Sequence, residues 1–485
     1  MGAYWKTVWI LFGIFVAANA AFLHSVPGLM GDEASEGENV YELLQSEKFV
    51  VQGERSYIGP LIDYARVPFI LGFGYTPLAL RLVVVLASFA AFWLAACVFL
   101  RAFGAESGGQ AQALFALVFG FFNPIYLTQE RIGWAIALFP FFFFLILWLL
   151  GEPAFPKASA SRPVRVLLAG FAAGIALSNH ILFLPTLTAV VVAGTLVLWL
   201  RKALSVGRKV LSTLLAFAGF AAGFALQLWV LLSFREDQGD VVEVAQSFWE
   251  RLADLPRLLP LVLSGSSYVA RYTGVEFAPA VVWVVTAVIA LLGLAAVLLV
   301  RPRKVVLLWL LGMIIHLAVL LYMIDRFTLR YFVMFVIAAW MLAGVGLGTL
   351  IESFPTLRSG SVKWGIPILF SIVLVGWSAF VVLIPFLKTG GSTADFSLGN
   401  RTDSAAALVD TRPLIECLRG AGPVSSENVH IWNRLQFLSH EYSDLKVVPQ
   451  DDSSHAEWLV HYRDAKQPDP GDLCPELAHF QVVAN

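Results

Sequence analysis

Apolar residues come in long runs separated by short polar connections, and eleven of these runs approach or exceed the length, about 20 residues, that a helix needs to cross a hydrocarbon core. Their approximate limits are 5–23, 79–100, 109–127, 133–150, 164–178, 181–200, 210–233, 277–300, 305–323, 331–350 and 365–387. No water reaches backbone groups at that depth, so each run is predicted to be helical. Two polar stretches depart from the pattern. Residues 241–259 place Val241, Ala245, Phe248, Leu252, Leu255 and Leu259 at helical spacing among Glu243, Gln246, Glu250, Arg251 and Asp254. This predicts an amphipathic helix at the membrane surface, within a polar segment covering 235–276. Beyond residue 388 the chain turns polar: 405–420 reads as helix, and Val429 to Trp432, Lys446 to Val448 and Glu457 to Val460 read as short strands. A small α/β domain over 389–485 is therefore expected to rest on a membrane domain over 1–388.

Composition agrees with that pattern. The chain has 485 residues, 58% hydrophobic and 14% charged, with a mean hydropathy of +0.76. A soluble globular protein is excluded, and the fold class is an all-α polytopic membrane protein. A formal net charge of -1 leaves no basic excess to hold nucleic acid. The placement of the charges says more than their sum. Arg101; Lys157, Arg162 and Arg165; Arg201, Lys202, Arg208 and Lys209; Arg301, Arg303 and Lys304; and Arg358 and Lys363 fall in alternate, short connections. By the positive-inside rule these are cytoplasmic, together with the N-terminus and Lys6. The loop at 24–78, the segment at 235–276, the turns at 128–132 and 324–330 and the tail are then expected on the extracytoplasmic side of the plasma (inner) membrane. Ala18-Asn19-Ala20 also has the form of a signal-peptide cleavage site, but removing the first helix would upset the charge alternation. Of the three cysteines, Cys417 and Cys474 lie in the tail, where spacing alone leaves their pairing open.

The chemistry concentrates on the predicted outer face. Asp32, Glu33, Glu36 and Glu38 put four carboxylates within seven residues directly after a span. Such a cluster near lipid is costly unless solvated, paired or metal-bound. One reading makes Asp32 the cap of a helix through Tyr41 to Leu44. The other makes it a base toward an acceptor hydroxyl or amine, or, with Glu130, a holder of a divalent cation, which the sequence leaves as a possibility only. Arg326 and Arg330 could grip a phosphate bidentately or only snorkel at a span end. Glu130 and Arg131 could equally form an exposed ion pair, and His180, a lone interfacial histidine, fits a structural role as well as a binding one. No P-loop or dinucleotide glycine motif is present.

An Asp-Glu pair after the first helix, Tyr57-Ile58-Gly59-Pro60-Leu61, Phe73-Gly74 and Leu80-Arg81-Leu82 resemble the GT-C superfamily of polyprenyl-phosphate-sugar-dependent glycosyltransferases. The nearest branch is similar to the bacterial protein-mannosyltransferase-like and aminoarabinose-transferase-like proteins. Asn123 to Arg131, Gly174 to His180 and Arg330-Tyr331 fit the same pattern over about the first 350 residues. The resemblance implies a membrane glycosyltransferase with Asp32 and its neighbour Glu33 as catalytic acids. It further implies Arg131, Arg326 and Arg330 toward the donor phosphate, and Tyr57, Glu130, His180 and Tyr331 toward substrate. Its partners would be a polyprenyl-phosphate sugar and a lipid, glycan or protein acceptor. The sequence departs from the common pattern at Ala34-Ser35-Glu36-Gly37, where an aromatic often follows. A lipid-linked sugar transporter or flippase is the alternative, but Gln227 and His316 are nearly the only polar groups inside spans, without repeated broken helices. An envelope polysaccharide polymerase is the other, and such enzymes lean on arginine-rich outer loops.

Overall fold

The computed structural model describes residues 2–26, 29–46, 59–104, 109–154, 163–233, 247–273, 277–300, 303–324, 329–354, 360–389, 391–392, 408–409, 411–462, 473–474 and 480–484. The membrane part opens with α1 (Gly2–Ala20), followed by two helices outside the spans, α2 (Gly31–Gln45) and α3 (Leu61–Phe73). It continues through α4 (Pro77–Phe103), α5 (Gly109–Phe121), α6 (Pro124–Gln129), α7 (Phe139–Ala154), α8 (Pro163–Asn179), α9 (Leu184–Leu200) and α10 (Val206–Ser233). Two helices, α11 (Phe248–Leu263) and α12 (Ser266–Thr273), interrupt the spans before α13 (Pro279–Leu299), α14 (Arg303–Met323), α15 (Val333–Ser353), α16 (Gly360–Ser378) and α17 (Ile384–Thr389). Among the described residues, 8 helices are long and apolar enough to cross a membrane, and three shorter apolar ones cover Gly109–Phe121, Ala135–Gly151 and Pro163–Asn179. These fall on the eleven apolar runs.

Small residues let these helices approach closely, as expected where lipid supplies no hydrophobic drive for association. A Cβ on Gly170 or Gly174 of α8 would strike the α10 backbone at 2.0 and 2.4 Å, and Gly219 and Gly223 of α10 return the same close approach. The third span is broken for a local reason. Asn123 Oδ1 accepts the Tyr126 N–H at 2.8 Å while its Nδ2 donates to the Phe119 carbonyl, so one helix ends and α6 starts at Pro124.

The amphipathic helix differs from the sequence expectation in its limits. Ser247 Oγ accepts the Glu250 N–H and the Glu250 carboxylate accepts the Ser247 N–H at 2.6 Å, a capping box that starts α11 at Phe248. Residues 234–246, which hold Val241 and Ala245, lie outside the described residues.

The tail holds α18 (Arg412–Leu418), α19 (Val429–Ser439) and a four-stranded sheet of β3 (Pro423–Ser425), β4 (Lys446–Val447), β5 (Trp458–Tyr462) and β6 (Phe480–Ala484). A separate short pair joins β1 (Gly391–Ser392) to β2 (Leu408–Val409). In the larger sheet the order is β4-β3-β5-β6, with β3 parallel to both neighbours and β6 antiparallel to β5. Cys417 and Cys474 form a disulfide. The strand expected at Val429 to Trp432 is instead the first turn of α19. Asn428 Oδ1 accepts the Ile431 N–H at 3.2 Å, and Ile431, Leu435 and Leu438 are buried at helical spacing, a period that four residues are too short to reveal.

Two apolar cores result. One runs through the membrane helices. The other joins Leu414, Ile431, Leu435, Phe437 and Val460 of the tail to Ala34 and Val40 of α2, Ile70 of α3 and Leu80 of α4. The tail and α2 therefore lie on one face of the bundle.

Candidate active site

The first turn of α2 organises the site. The helix begins at Gly31, and Met30, not Asp32, is its N-cap; the Glu33 carboxylate accepts the Met30 N–H at 3.3 Å. The capping reading of Asp32 is thereby corrected. Asp32 sits within the first turn, where the helix dipole favours a carboxylate, and is 8% exposed.

Glu33 and Glu36 point from α2 into two arginine sites. Arg81, in the first turns of α4, donates from Nε to Glu33 Oε1 at 2.8 Å and from Nη2 to Glu33 Oε2 at 2.9 Å, with Nη1 on the Leu23 carbonyl. This is a fully buried bidentate pair. Arg66 of α3 donates to Glu36 at 2.8 Å and to Asp63 at 3.2 Å, so one guanidinium serves two buried carboxylates. Glu36 Oε1 is left without a hydrogen-bond partner. Burial raises Glu36 from 4.5 to about 8, with Arg66 opposing and the charges of Asp63 and Asp32 assisting. Burial likewise raises Asp63 to about 6, opposed by Arg66 and a hydrogen bond from Asn39.

Gly133 ties the turn after α6 to this network. Its N–H donates to Glu33 Oε1 at 2.8 Å and its carbonyl accepts from Arg66 at 2.5 Å. An added Cβ would lie 2.7 Å from Glu33 Oε1 and 2.9 Å from the Leu80 carbonyl, so only glycine fits. The turn carrying Glu130 and Arg131 is thus held against α2.

Neither residue forms the exposed ion pair that the sequence allowed; both are buried. Glu130 lies beside Ser88 and Tyr126, whose hydroxyls bond to each other at 2.8 Å, and burial pushes its carboxyl well above the usual range. The structure places Arg131 against the end of α1. Its guanidinium donates to the Val26 and Ala18 carbonyls at 3.0 Å and to the Ala21 carbonyl, closing the C-terminal end of α1. His180 is 2% exposed, accepts the Leu182 N–H at 3.1 Å through Nδ1 and packs edge-on against Trp134, the neighbour of Gly133. Tyr331 is half-buried against the membrane core. Tyr57, Arg326 and the side chain of Arg330 lie outside the described residues.

Sequence reasoning missed Arg251. It is 3% exposed on the buried stripe of α11 with Leu258 and Val262, and its Nε and Nη1 have no hydrogen-bond partner. Sequence pattern placed it among the polar positions of an amphipathic helix; only its facing reveals it. A buried guanidinium without an acid is expensive until an anion completes it. Helix α11 packs on α12, and α12 packs on α6, which leads into Glu130. Arg66 and Asp63 were legible only as an i,i+3 pair.

Below this face, a cavity of about 180 Å³ lies between α4, α7, α9, α14 and α15. It is lined by groups such as Phe99, Leu147, Val190, Trp309 and Met341, with His316 and Thr186, 3.3 Å apart, as its polar point. Among the described residues no three His, Cys, Asp or Glu converge as metal ligands. The carboxylates of Glu33, Glu36 and Asp63 are taken by arginines.

No family model matches the chain, and no curated protein matches it. Solved structures do. ArnT from Cupriavidus metallidurans bound to undecaprenyl phosphate superposes with a TM-score of 0.56 at 15% identity, covering 99% of this chain and 97% of that one. The same protein in the apo state gives 0.56 at 16% identity over 94% and 92%. The likeness extends from α1 through the tail sheet: the chain has the fold of ArnT, the polytopic architecture that its resemblance to the GT-C glycosyltransferases implied.

Proposed function

We propose that the protein is a membrane glycosyltransferase that moves a sugar from a polyprenyl-phosphate donor to a lipid, glycan or protein acceptor on the extracytoplasmic face. The observation that carries this reading is the pairing of an acidic helix, held by two arginines at one membrane face, with a buried arginine on α11 that forms no ion pair among the described residues. In this reading Asp32 accepts the proton of the acceptor nucleophile as its oxygen or nitrogen bonds to the anomeric carbon. The bond from that carbon to the phosphate oxygen breaks, and the electron pair leaves with the polyprenyl phosphate. Arg251, with Arg326 and Arg330 from the turn before α15, holds the negative charge that develops on the leaving phosphate. Arg131 serves by fixing the end of α1 rather than the phosphate. Glu33, locked to Arg81, positions the first turn of α2. The apolar cavity between α9 and α14 suits a hydrocarbon chain, and the ArnT structure with undecaprenyl phosphate is consistent with such a donor. The disulfide fits a tail outside the cytoplasm.

Purified protein in lipid vesicles, incubated with a radiolabelled polyprenyl-phosphate sugar and envelope extract, should release polyprenyl phosphate and label the acceptor fraction. Movement of intact labelled donor across the vesicle, without cleavage, would select the flippase reading instead.

A further inference from the structure

One side of α2 takes no part in the chemistry above. Ala34, Glu38 and Tyr41 recur at helical spacing on the side adjoining the stripe of Glu33 and Glu36, and Gly37 and Leu44 continue the line of Glu33 toward the tail. The C-terminal domain seats on this stripe. The ring edge of Phe437 lies directly over Gly37, where an added Cβ would sit 2.5 and 2.6 Å from its Cε2 and Cδ2. His440 stacks on Tyr41 with centroids 3.7 Å apart and planes 10° apart, and its Nε2 pairs with Glu38 Oε2 at 3.0 Å. Tyr75 packs tilted beside the imidazole at 5.0 Å, and the Tyr75 N–H donates to Glu441 at 3.1 Å. Gly74, at φ 71°, turns the chain there beneath Glu441, whose Oε2 would be 2.2 Å from a Cβ. The acidic helix is therefore held by the arginines of the membrane part and, on the adjoining side, by one aromatic edge of the tail.

We propose that the C-terminal domain is a working part of the site, in which Phe437 and His440 are positioning residues that fix α2 and, through it, Asp32. The inference rests on the transferase reading. Its physical basis is the arrangement of the two faces. The arginine face is polar and anchors Glu33 and Glu36. A ring seated on a glycine and an imidazole stacked on a tyrosine one turn later hold the adjoining side, so α2 is fixed at more than one angle about its axis. A displacement of the reacting group by about 1 Å can cost on the order of 10²-fold in rate.

The test uses the full-length protein in vesicles with three variants: Gly37→Ala, His440→Ala and Phe437→Leu. Gly37→Ala breaks the contact from the α2 side and leaves the tail sequence untouched. Turnover at saturating donor, the donor KM, and amide exchange over residues 31–45 and 458–462 are read together. The inference expects turnover to fall about 10- to 100-fold with donor KM within about twofold. Exchange should rise over 31–45 and stay unchanged over 458–462, and His440→Gln, which keeps a partner for Glu38, should recover part of the loss. Faster exchange over 31–45 with unchanged turnover would overturn the inference and leave the transferase reading standing. Lost turnover with unchanged exchange would also overturn it, because the effect would not pass through α2. A fully active Asp32→Asn beside inactive clamp variants would overturn the role given to Asp32, and with it the inference that the clamp acts through Asp32.

Discussion

Glu33 and Glu36 lie one turn apart on α2, both buried and both held by an arginine, yet their surroundings differ in stoichiometry. Glu33 has Arg81 to itself, with both oxygens bonded and a further N–H from Gly133. Glu36 shares Arg66 with Asp63 and keeps one oxygen unpartnered. The first arrangement is charge-balanced and complete, and it serves as structure. The second has one acid too many; burial above all, with the charges of Asp63 and Asp32 assisting, raises Glu36 to about 8 and gives α2 a titrating group one turn from Asp32. Arg251 extends the series to its other end, an arginine whose Nε and Nη1 have no hydrogen-bond partner and which forms no ion pair among the described residues. The ratio of acids to guanidiniums thus separates a complete anchor at Glu33 from an acid-rich site at Glu36 and an arginine without an ion pair among the described residues at Arg251.

The strongest test asks whether Asp32, in the first turn of α2, does the chemistry. Asp32→Asn keeps the size and removes the base, and turnover should fall by about 10²- to 10⁴-fold at unchanged membrane abundance, measured as sugar transfer per mole of protein. Next comes the balanced pair. Removing one partner, as in Arg81→Ala, leaves a buried uncompensated carboxylate and should cost about 3–5 kcal/mol, read from denaturation in detergent. Replacing both, with Arg81→Met and Glu33→Leu, should recover much of that stability, because it is the broken pair that is expensive. A smaller effect is expected at the unsupplied arginine. Arg251→Lys keeps the charge and loses the planar fork, so donor KM should rise about tenfold while Arg208→Lys leaves it unchanged. Equal donor KM in both would make Arg251 a membrane anchor.

The smallest effect concerns the over-supplied arginine and follows from linkage. Glu36 and Asp63 are raised in the folded state to about 8 and about 6. The folded protein therefore holds protons that the unfolded chain has already released. Their stabilising contribution is fully present below the unfolded values near pH 4, declines as pH rises through this window, and is lost above about 8. Wild-type thermal midpoints should fall from pH 5 to pH 9, and Glu36→Gln, neutral throughout, should flatten the slope. A slope unchanged by the substitution would remove Glu36 from the comparison.

The sequence by itself determined what each segment is dissolved in. Runs of apolar residues about 20 long are specified locally, and so is an acidic turn that follows one, which is why the spans and the Asp32-Glu33 cluster were legible. The strand expected at Val429 failed because burial at Ile431, Leu435 and Leu438 reveals a helix only over a longer stretch. What only the tertiary structure decided is which charges meet. Glu36 finds Arg66 thirty residues on, Glu33 finds Gly133 a hundred residues on, and Glu38 finds His440 four hundred and two residues on. The polar pattern of α11 likewise records that position 251 is charged, and only the packing of that helix turns the charge inward without a partner. A side chain's own identity sets its charge, but its neutralisation depends on groups brought close by the packing of distant helices, and hydropathy along one segment carries no term for that.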